Sequence, residues 1–185
     1  MTPRIHPIDP PYAPDLQATF DTLMRGAPPL LLFRTVARNP RVLDRMMAGG
    51  LLDRGSISLR QRELMILRTC VNCRAEYEWG VHVALFGDKA QWLPEQIDSI
   101  TRGRDEDCWS ADERLIIRLA DQLHISGRVD DELWEELAAH FADDQLIELI
   151  MLAGLYHAVS FMVNATGVAC EEFAPRFPSA VGADD

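Results

Sequence analysis

The sequence predicts an all-α protein, and three observations carry that prediction. Two serine-led capping boxes open apolar runs, at Ser58-Leu59-Arg60-Gln61 and Ser110-Ala111-Asp112-Glu113. In each, the serine and the residue three positions on satisfy one another's unpaired backbone donors. Apolar residues recur at helical spacing, as in Leu115, Ile116, Leu119 and Leu123, and no stretch carries the alternating pattern and tight turn of a hairpin. With 185 residues, 48% of them apolar and 25% charged, the chain can bury a core of its own, and one domain is expected.

The elements follow in order. Residues 1–14 hold Pro3, Pro7, Pro10, Pro11 and Pro14, which fix φ and remove backbone donors, so an extended arm is expected. An ordered arm must lie on something, and a neighbouring subunit is one candidate. A first helix is expected from Asp15 to about Arg25, ended by Gly26-Ala27-Pro28-Pro29. Short helices follow over Leu30–Ala37 and Pro40–Met47, closed by Gly49-Gly50. The Ser58 box then opens Leu64-Met65-Ile66-Leu67, apolar on all sides, which is the mark of a buried helix. Asn72-Cys73-Arg74 reads as a kink, and Ala75–Phe86 as the next helix, stopped at Gly87. Pro94 begins a helix to about Ile100, and Arg102–Cys108 reads as a charged loop before the Ser110 helix. Asp130–Phe141 and Asp143 to about Glu172 complete the set.

Leu149–Cys170 is free of charge, and its 22 residues could span a bilayer. Tyr156, His157, Ser160, Asn164 and Thr166 lie within it, however, and polar groups in a bilayer are costly. A core helix, or a pair broken near Ser160, is expected instead, with no membrane partner. Residues 175–185 are small and polar and read as a flexible tail.

The net charge of −11 argues against nucleic acid and anionic membrane surfaces, which need clustered Lys and Arg. It also repels anionic substrates at long range. Met1-Thr2-Pro3-Arg4-Ile5-His6 carries no apolar run, so no secretory leader is expected and a cytoplasmic location is. There Cys70, Cys73, Cys108 and Cys170 are expected as thiols. G-x-G-x-x-G is absent and Gly49-Gly50 lacks a phosphate-loop context, which leaves no nucleotide site.

Chemistry concentrates between Glu63 and His82. Glu78 and His82 are four residues apart, one helical turn, and a carboxylate beside an imidazole raises its pKa and fixes its tautomer for acid–base work. A solvated surface pair has the same spacing. Glu63 is either an exposed first-turn acid or, if buried, a partner of Arg68, Arg74 or His82, because an unpaired buried carboxylate is expensive. Cys70-Val71-Asn72-Cys73 is a C-x-x-C, able to exchange disulfides or to supply half a zinc site. No second ligand pair follows at a matching spacing, and His6, His124, His140 and His157 show no ligand spacing to one another, so no metal is expected. Cys70 falls in the apolar helix, where cysteine packs as a small hydrophobe. His157, beside Tyr156, reads as a core histidine and is kept as a secondary site candidate.

The runs Arg62-Glu63-Leu64-Met65-Ile66-Leu67-Arg68 and Ala75-Glu76-Tyr77-Glu78-Trp79-Gly80-Val81-His82 resemble the carboxymuconolactone decarboxylase and alkyl hydroperoxidase D superfamily. The stretch from Leu146 through Tyr156 and Asn164 to Glu171-Glu172-Phe173 is similar to its closing helices. The resemblance spans residues 15–174 as one domain, and it implies a compact helical domain of the alkyl hydroperoxidase D-like type that assembles as a homo-oligomer, a trimer or hexamer. The hydroperoxidase branch has a glutamate, a C-x-x-C twelve residues later and a histidine four beyond; Glu63 and His82 fall on the outer positions, but Ala75 and Glu78 replace the cysteines. Cys70 and Cys73 sit five residues too early. The decarboxylase branch has a glutamate four residues before the histidine, as Glu78 and His82 are placed.

The resemblance therefore implies acid/base chemistry with no metal or organic cofactor, a decarboxylation or proton transfer on a small lactone or carboxylic acid. Glu63, Glu78 and His82 would be catalytic, with His82 the acid and Glu78 its orienting partner. Arg68 or Arg74 could hold a substrate carboxylate, and Tyr77, Trp79 and His157 are further candidates for binding substrate. Two alternatives stay open: a thiol-dependent peroxidase or disulfide reductase of peroxiredoxin type using Cys70 and Cys73, and a non-catalytic ligand-binding helical oligomer.

Overall fold

Ser58 Oγ accepts a hydrogen bond from the Gln61 backbone N–H at 3.1 Å while Gln61 Oε1 accepts from Ser58 N–H at 2.9 Å. The helix opened by this box runs from Leu59 to Asn72. It is the fourth of nine in the computed structural model, which describes residues 3–102 and 106–178. In chain order these are α1 (Pro14–Met24), α2 (Leu31–Val36), α3 (Pro40–Ala48), α4 (Leu59–Asn72), α5 (Glu76–Phe86), α6 (Pro94–Arg102), α7 (Ala111–Ser126), α8 (Asp131–His140) and α9 (Asp143–Thr166). No strand occurs among the described residues. Residues 103–105 of the expected charged loop and residues 179–185 of the expected tail lie outside them; Glu106–Cys108 forms a single 3₁₀ turn.

Helix α4 is the axis of the fold, with α5, α6, α7 and α9 packed around it. Every residue from Glu63 to Leu67 is at most 1% exposed, as a helix apolar on all faces requires. Burial of each such Leu, Ile or Met contributes roughly 1.5–3 kcal/mol. Arg60–Glu113 and Arg68–Asp121, both at 2.6 Å, tie it to α7. The kink expected at Asn72-Cys73-Arg74 is a true helix end. Arg74 adopts φ 52° and the Ala75 N–H reaches back to the Cys70 carbonyl at 2.8 Å, which closes the last turn and releases the chain into α5.

Helix α9 is unbroken at Ser160 and stops six residues short of the expected end at Glu172. Gly167 there takes φ 65°, Val168 N–H bonds back to the Val163 carbonyl at 3.1 Å, and Arg4 N–H of the arm takes the Thr166 carbonyl at 2.7 Å. The helix is long and apolar enough to cross a membrane, yet Leu146, Leu149, Leu152, Tyr156, Val159 and Val163 are buried in the core. Its other face leaves Ile147, Met151 and Phe161 more than 60% exposed.

The proline-rich arm lies on its own chain. Ile8 N–H bonds to the Arg34 carbonyl at 3.1 Å, Arg34 Nε donates to the Ile8 carbonyl at 2.9 Å, and Arg38 Nε donates to the His6 carbonyl at 2.9 Å. The segment after α9 is also docked, so the flexible tail expected from residue 175 does not begin there. Phe177 N–H donates to Glu76 Oε1 at 2.9 Å, and its ring packs on Trp79 with centroids 5.1 Å apart. Glu171 accepts from Leu31 N–H at 2.6 Å and from Tyr77 Oη at 2.8 Å, which satisfies the first turn of α2.

Candidate functional site

Three helices converge on one imidazole. Helix α4 presents Glu63 in its second turn, α5 presents Glu78 and His82 one turn apart, and α9 brings Tyr156 across from them. His82 Nδ1 lies 2.7 Å from Glu63 Oε2, and His82 Nε2 lies 3.0 Å from Tyr156 Oη and 3.4 Å from Glu78 Oε1. Arg62 closes the chain on the far side of Glu63, donating to Oε1 from Nη2 at 2.8 Å and from Nε at 3.0 Å. Glu63, His82, Tyr156, Glu78 and Arg62 are all less than 9% exposed.

Burial alone would drive the proton off His82. The carboxylates of Glu63 and Glu78 outweigh it, by hydrogen bonding and by charge, and hold the imidazole at about 9 rather than 6.5. His82 is therefore an imidazolium at neutral pH. Its Nδ1–H is committed to Glu63, so the Nε2 proton is the transferable one. Tyr156 Oη and Glu78 Oε1 are the groups beside it, and Glu78 Oε2 is buried without a hydrogen-bond partner. Phe86 stacks on the imidazole at 5.2 Å between centroids and is itself half-exposed. A cleft of about 240 Å³ lined by Leu52, Ile57, Leu59, Arg62 and Glu148 reaches Arg62 from outside.

The structure thus brings Glu63, Glu78 and His82 together, with one change of emphasis. Glu63, nineteen residues away, is the tight partner of His82, and the Glu78 contact at the expected four-residue spacing is the longer one. Tyr156 and Arg62 were not singled out from sequence. The one available signal for Tyr156 was a hydroxyl on an otherwise apolar helix, which when buried needs a partner.

The remaining candidates are placed elsewhere. Arg68 is not placed to receive a substrate carboxylate: it meets Asp121 through Nε at 2.6 Å and Nη2 at 2.9 Å, and its Nη1 donates to the Ile100 carbonyl at 2.9 Å. Arg74 forms the left-handed end of α4. Tyr77 braces α2 and Trp79 holds Phe177. Cys70 is wholly buried, and burial first, then the Glu78 carboxylate, pushes its thiol well above the ordinary range. Burial also pushes Cys73 up. Both are free thiols at the C-terminal end of α4, the negative end of the helix dipole, which disfavours a thiolate.

His157 is not simply a core histidine. Its Nε2 lies 3.0 Å from His124 Nδ1, which in turn is 3.9 Å from Cys73 Sγ. These three residues come from α4, α7 and α9, so their approach is hidden in the sequence order.

Fold and site together describe an α-helical protein with a buried carboxylate–imidazole centre. Residues 40–122 match the model of the carboxymuconolactone decarboxylase family. Comparison with curated proteins gives no match. Among solved structures, an uncharacterized peroxidase-related protein from Silicibacter sp. TM1040 is similar with TM-score 0.77 at 16% identity, covering 94% of this chain and 96% of that one. The alkylhydroperoxidase AhpD core of an uncharacterized peroxidase-related protein from Ralstonia eutropha JMP134 gives 0.74 at 15% identity, covering 91% and 93%. The debrominase Bmp8 in complex with 2,3,4-tribromopyrrole gives 0.72 at 16% identity, covering 94% of both chains. At these identities the likeness is one of fold.

Proposed function

We propose that this chain is a carboxymuconolactone decarboxylase-like enzyme that transfers a proton to or from a small lactone or carboxylic acid. The observation that carries the reading is the buried His82, held as an imidazolium by Glu63 and flanked at Nε2 by Tyr156 and Glu78. Loss of CO2 from a lactone acid leaves an enolate that needs electrostatic stabilisation and then a proton. The Nε2–H of His82 supplies both, directly or through Tyr156 Oη. Glu63 keeps Nδ1 protonated throughout, so the ring returns to the same tautomer after each transfer. Arg62 and His82 balance the charges of Glu63 and Glu78, which favours a neutral or singly charged substrate over a dicarboxylate.

The thiol-peroxidase alternative has the peroxidase-related proteins of this fold in its favour. Against it stand the burial of Cys70 and the raised thiols of both cysteines. A homo-oligomer belongs to the same proposal, supported by the exposed apolar stripe of Ile147, Met151 and Phe161 on α9.

The test is deuterium incorporation from D2O into turned-over lactone acids, with His82→Gln and Cys70→Ser/Cys73→Ser compared with wild type. Loss in His82→Gln with retention in the double cysteine variant is expected. Turnover that survives in folded His82→Gln overturns the proposal, and dithiol-dependent peroxide consumption lost in the cysteine variant would establish the alternative.

A further inference from the structure

Cys73, His124 and His157 take no part in the proton-transfer centre, yet their ligating atoms all lie within 4.8 Å of one another. Cys73 caps α4, His124 sits in the last turn of α7, and His157 is in the middle of α9. The arrangement is oriented as well as close. His157 Nδ1 lies 2.8 Å from the Ala153 carbonyl. A carbonyl can only accept, so Nδ1 carries the hydrogen and Nε2 accepts from His124 Nδ1–H at 3.0 Å; a metal would take the place of that hydrogen, with the exposed His124 ring carrying its own on Nε2. Metal-ligating histidines are held in this way, the second ring nitrogen bonded to a carbonyl or carboxylate. Asn164 Nδ2 donates to the Cys73 carbonyl at 2.8 Å and fixes the end of α4 against α9. The two imidazoles stack with centroids 5.3 Å apart and planes inclined by 29°, and His157 rests edge-on against Phe161 at 6.1 Å.

We propose that Cys73, His124 and His157 form a zinc site with three protein ligands and an open fourth position. Tetrahedral zinc takes nitrogen at about 2.0–2.1 Å and sulfur at about 2.3 Å, which sets ligand edges of about 3.3 Å for N–N and about 3.6 Å for N–S. The His124–His157 and Cys73–His124 edges are 3.0 and 3.9 Å, within a few tenths of those values. The Cys73–His157 edge is no longer than 4.8 Å, so a bound ion requires it to shorten by up to about 1.2 Å, through the χ1 torsion of the half-buried Cys73. One thiolate and two imidazoles suit zinc and exclude magnesium or calcium, which require oxygen ligands. His124 is exposed and the other two are half-buried, so the ion can enter from solvent and keep a water or a small ligand as its fourth partner. On binding, the Cys73 S–H proton is released and the thiolate sulfur bonds the metal.

The test is a metal titration of the untagged full-length protein, reduced with a phosphine and stripped with a chelator. Added Co2+ should produce one equivalent of a thiolate-to-cobalt charge-transfer band, bleached by Zn2+. The band should vanish in Cys73→Ser, persist in Cys170→Ser, and require at least tenfold more Co2+ in His124→Ala and His157→Ala. Zn2+ should raise the melting temperature of wild type and of Cys170→Ser but not of Cys73→Ser, whose helical circular dichroism should match wild type. A folded wild type that gives no charge-transfer band, or a band that survives in Cys73→Ser, overturns the proposal.

Discussion

Glu63 Oε2 sits 2.7 Å from His82 Nδ1 while its other oxygen takes both Nε and Nη2 of Arg62. A wholly buried carboxylate is thus shared between two cations, and its desolvation is offset only while both remain. Replacement by an amide keeps the shape and removes the charge. Glu63→Gln is expected to lower stability by about 3–5 kcal/mol, because the Arg62 guanidinium is left buried without its counter-charge. Turnover in the surviving folded fraction should fall about 10²–10⁴-fold. Urea unfolding and steady-state kinetics measure the two effects; a stability loss below about 1 kcal/mol would show that Arg62 finds another partner.

The same pairing sets a pH dependence. His82 is held at about 9 in the folded protein against 6.5 for the free side chain. The folded state therefore binds this proton more tightly than the unfolded chain. The resulting stabilisation is complete below pH 6.5 and fades as the pH climbs through 9, with a total of order 3 kcal/mol. Urea midpoints should fall across that window in wild type and fall less in His82→Gln. Turnover that depends on the imidazolium should share the same basic limb. A flat stability profile up to about pH 10 would place the proton elsewhere.

Much of this was readable in advance, and what was missed has a common cause. The Ser58 and Ser110 boxes mark helix starts because cap and partner are three residues apart, within one turn, and both are formed in the structure. Glu78 and His82 share a turn in the same way. Tyr156 is 74 residues from His82, and His124 is 51 residues from Cys73; only the packing of α9 and α7 on α4 brings them in. The end of α9 is the exception, because Gly167 at φ 65° is a local stop and Arg4 only then takes the Thr166 carbonyl. The docking of Phe177 depends on a Trp79 ring that no local pattern announces.

The cysteines give a sharper test of the redox alternative than their spacing does. Cys70 is 0% exposed, and burial raises both its thiol and that of Cys73. A disulfide reagent added to native protein should leave Cys70 unreacted and modify Cys73 slowly, and both should react at once after unfolding. Mass spectrometry after mild peroxide treatment should find no Cys70–Cys73 bridge. A bridge formed within seconds would show that the end of α4 opens readily and that the pair is redox-active.

The exposed stripe of α9 predicts association with a second copy. Ile147, Met151 and Phe161 are 64%, 61% and 63% exposed on the helix that runs through the core, and a large apolar stripe on a soluble surface marks an interface. Met151→Glu would place a charge in the middle of it, at a position where the isolated subunit loses nothing. Sedimentation velocity should therefore show wild type as an oligomer and Met151→Glu shifted towards monomer, with unchanged helical content. A monomeric wild type would leave the stripe to a different partner.

Gly80 lies where the chain after α9 crosses α5. A β-carbon there would stand 2.4 Å from the Pro175 carbonyl oxygen and 3.3 Å from the Ala174 side chain. Neither is a flexible tip that can turn aside. Gly80→Ala should gain helix propensity of about 1 kcal/mol within α5, yet the displaced backbone costs about 1–3 kcal/mol. Net destabilisation is therefore expected, with the crossing segment lifted from Trp79. The displacement separates two consequences, because Phe177 rests on Trp79 while His82 is held from α4 and α9. Trp79 fluorescence should shift as Phe177 leaves its ring, while the basic limb of turnover set by His82 stays in place. A shift of that limb together with the fluorescence would mean that the crossing segment also holds α5 in register with Glu63.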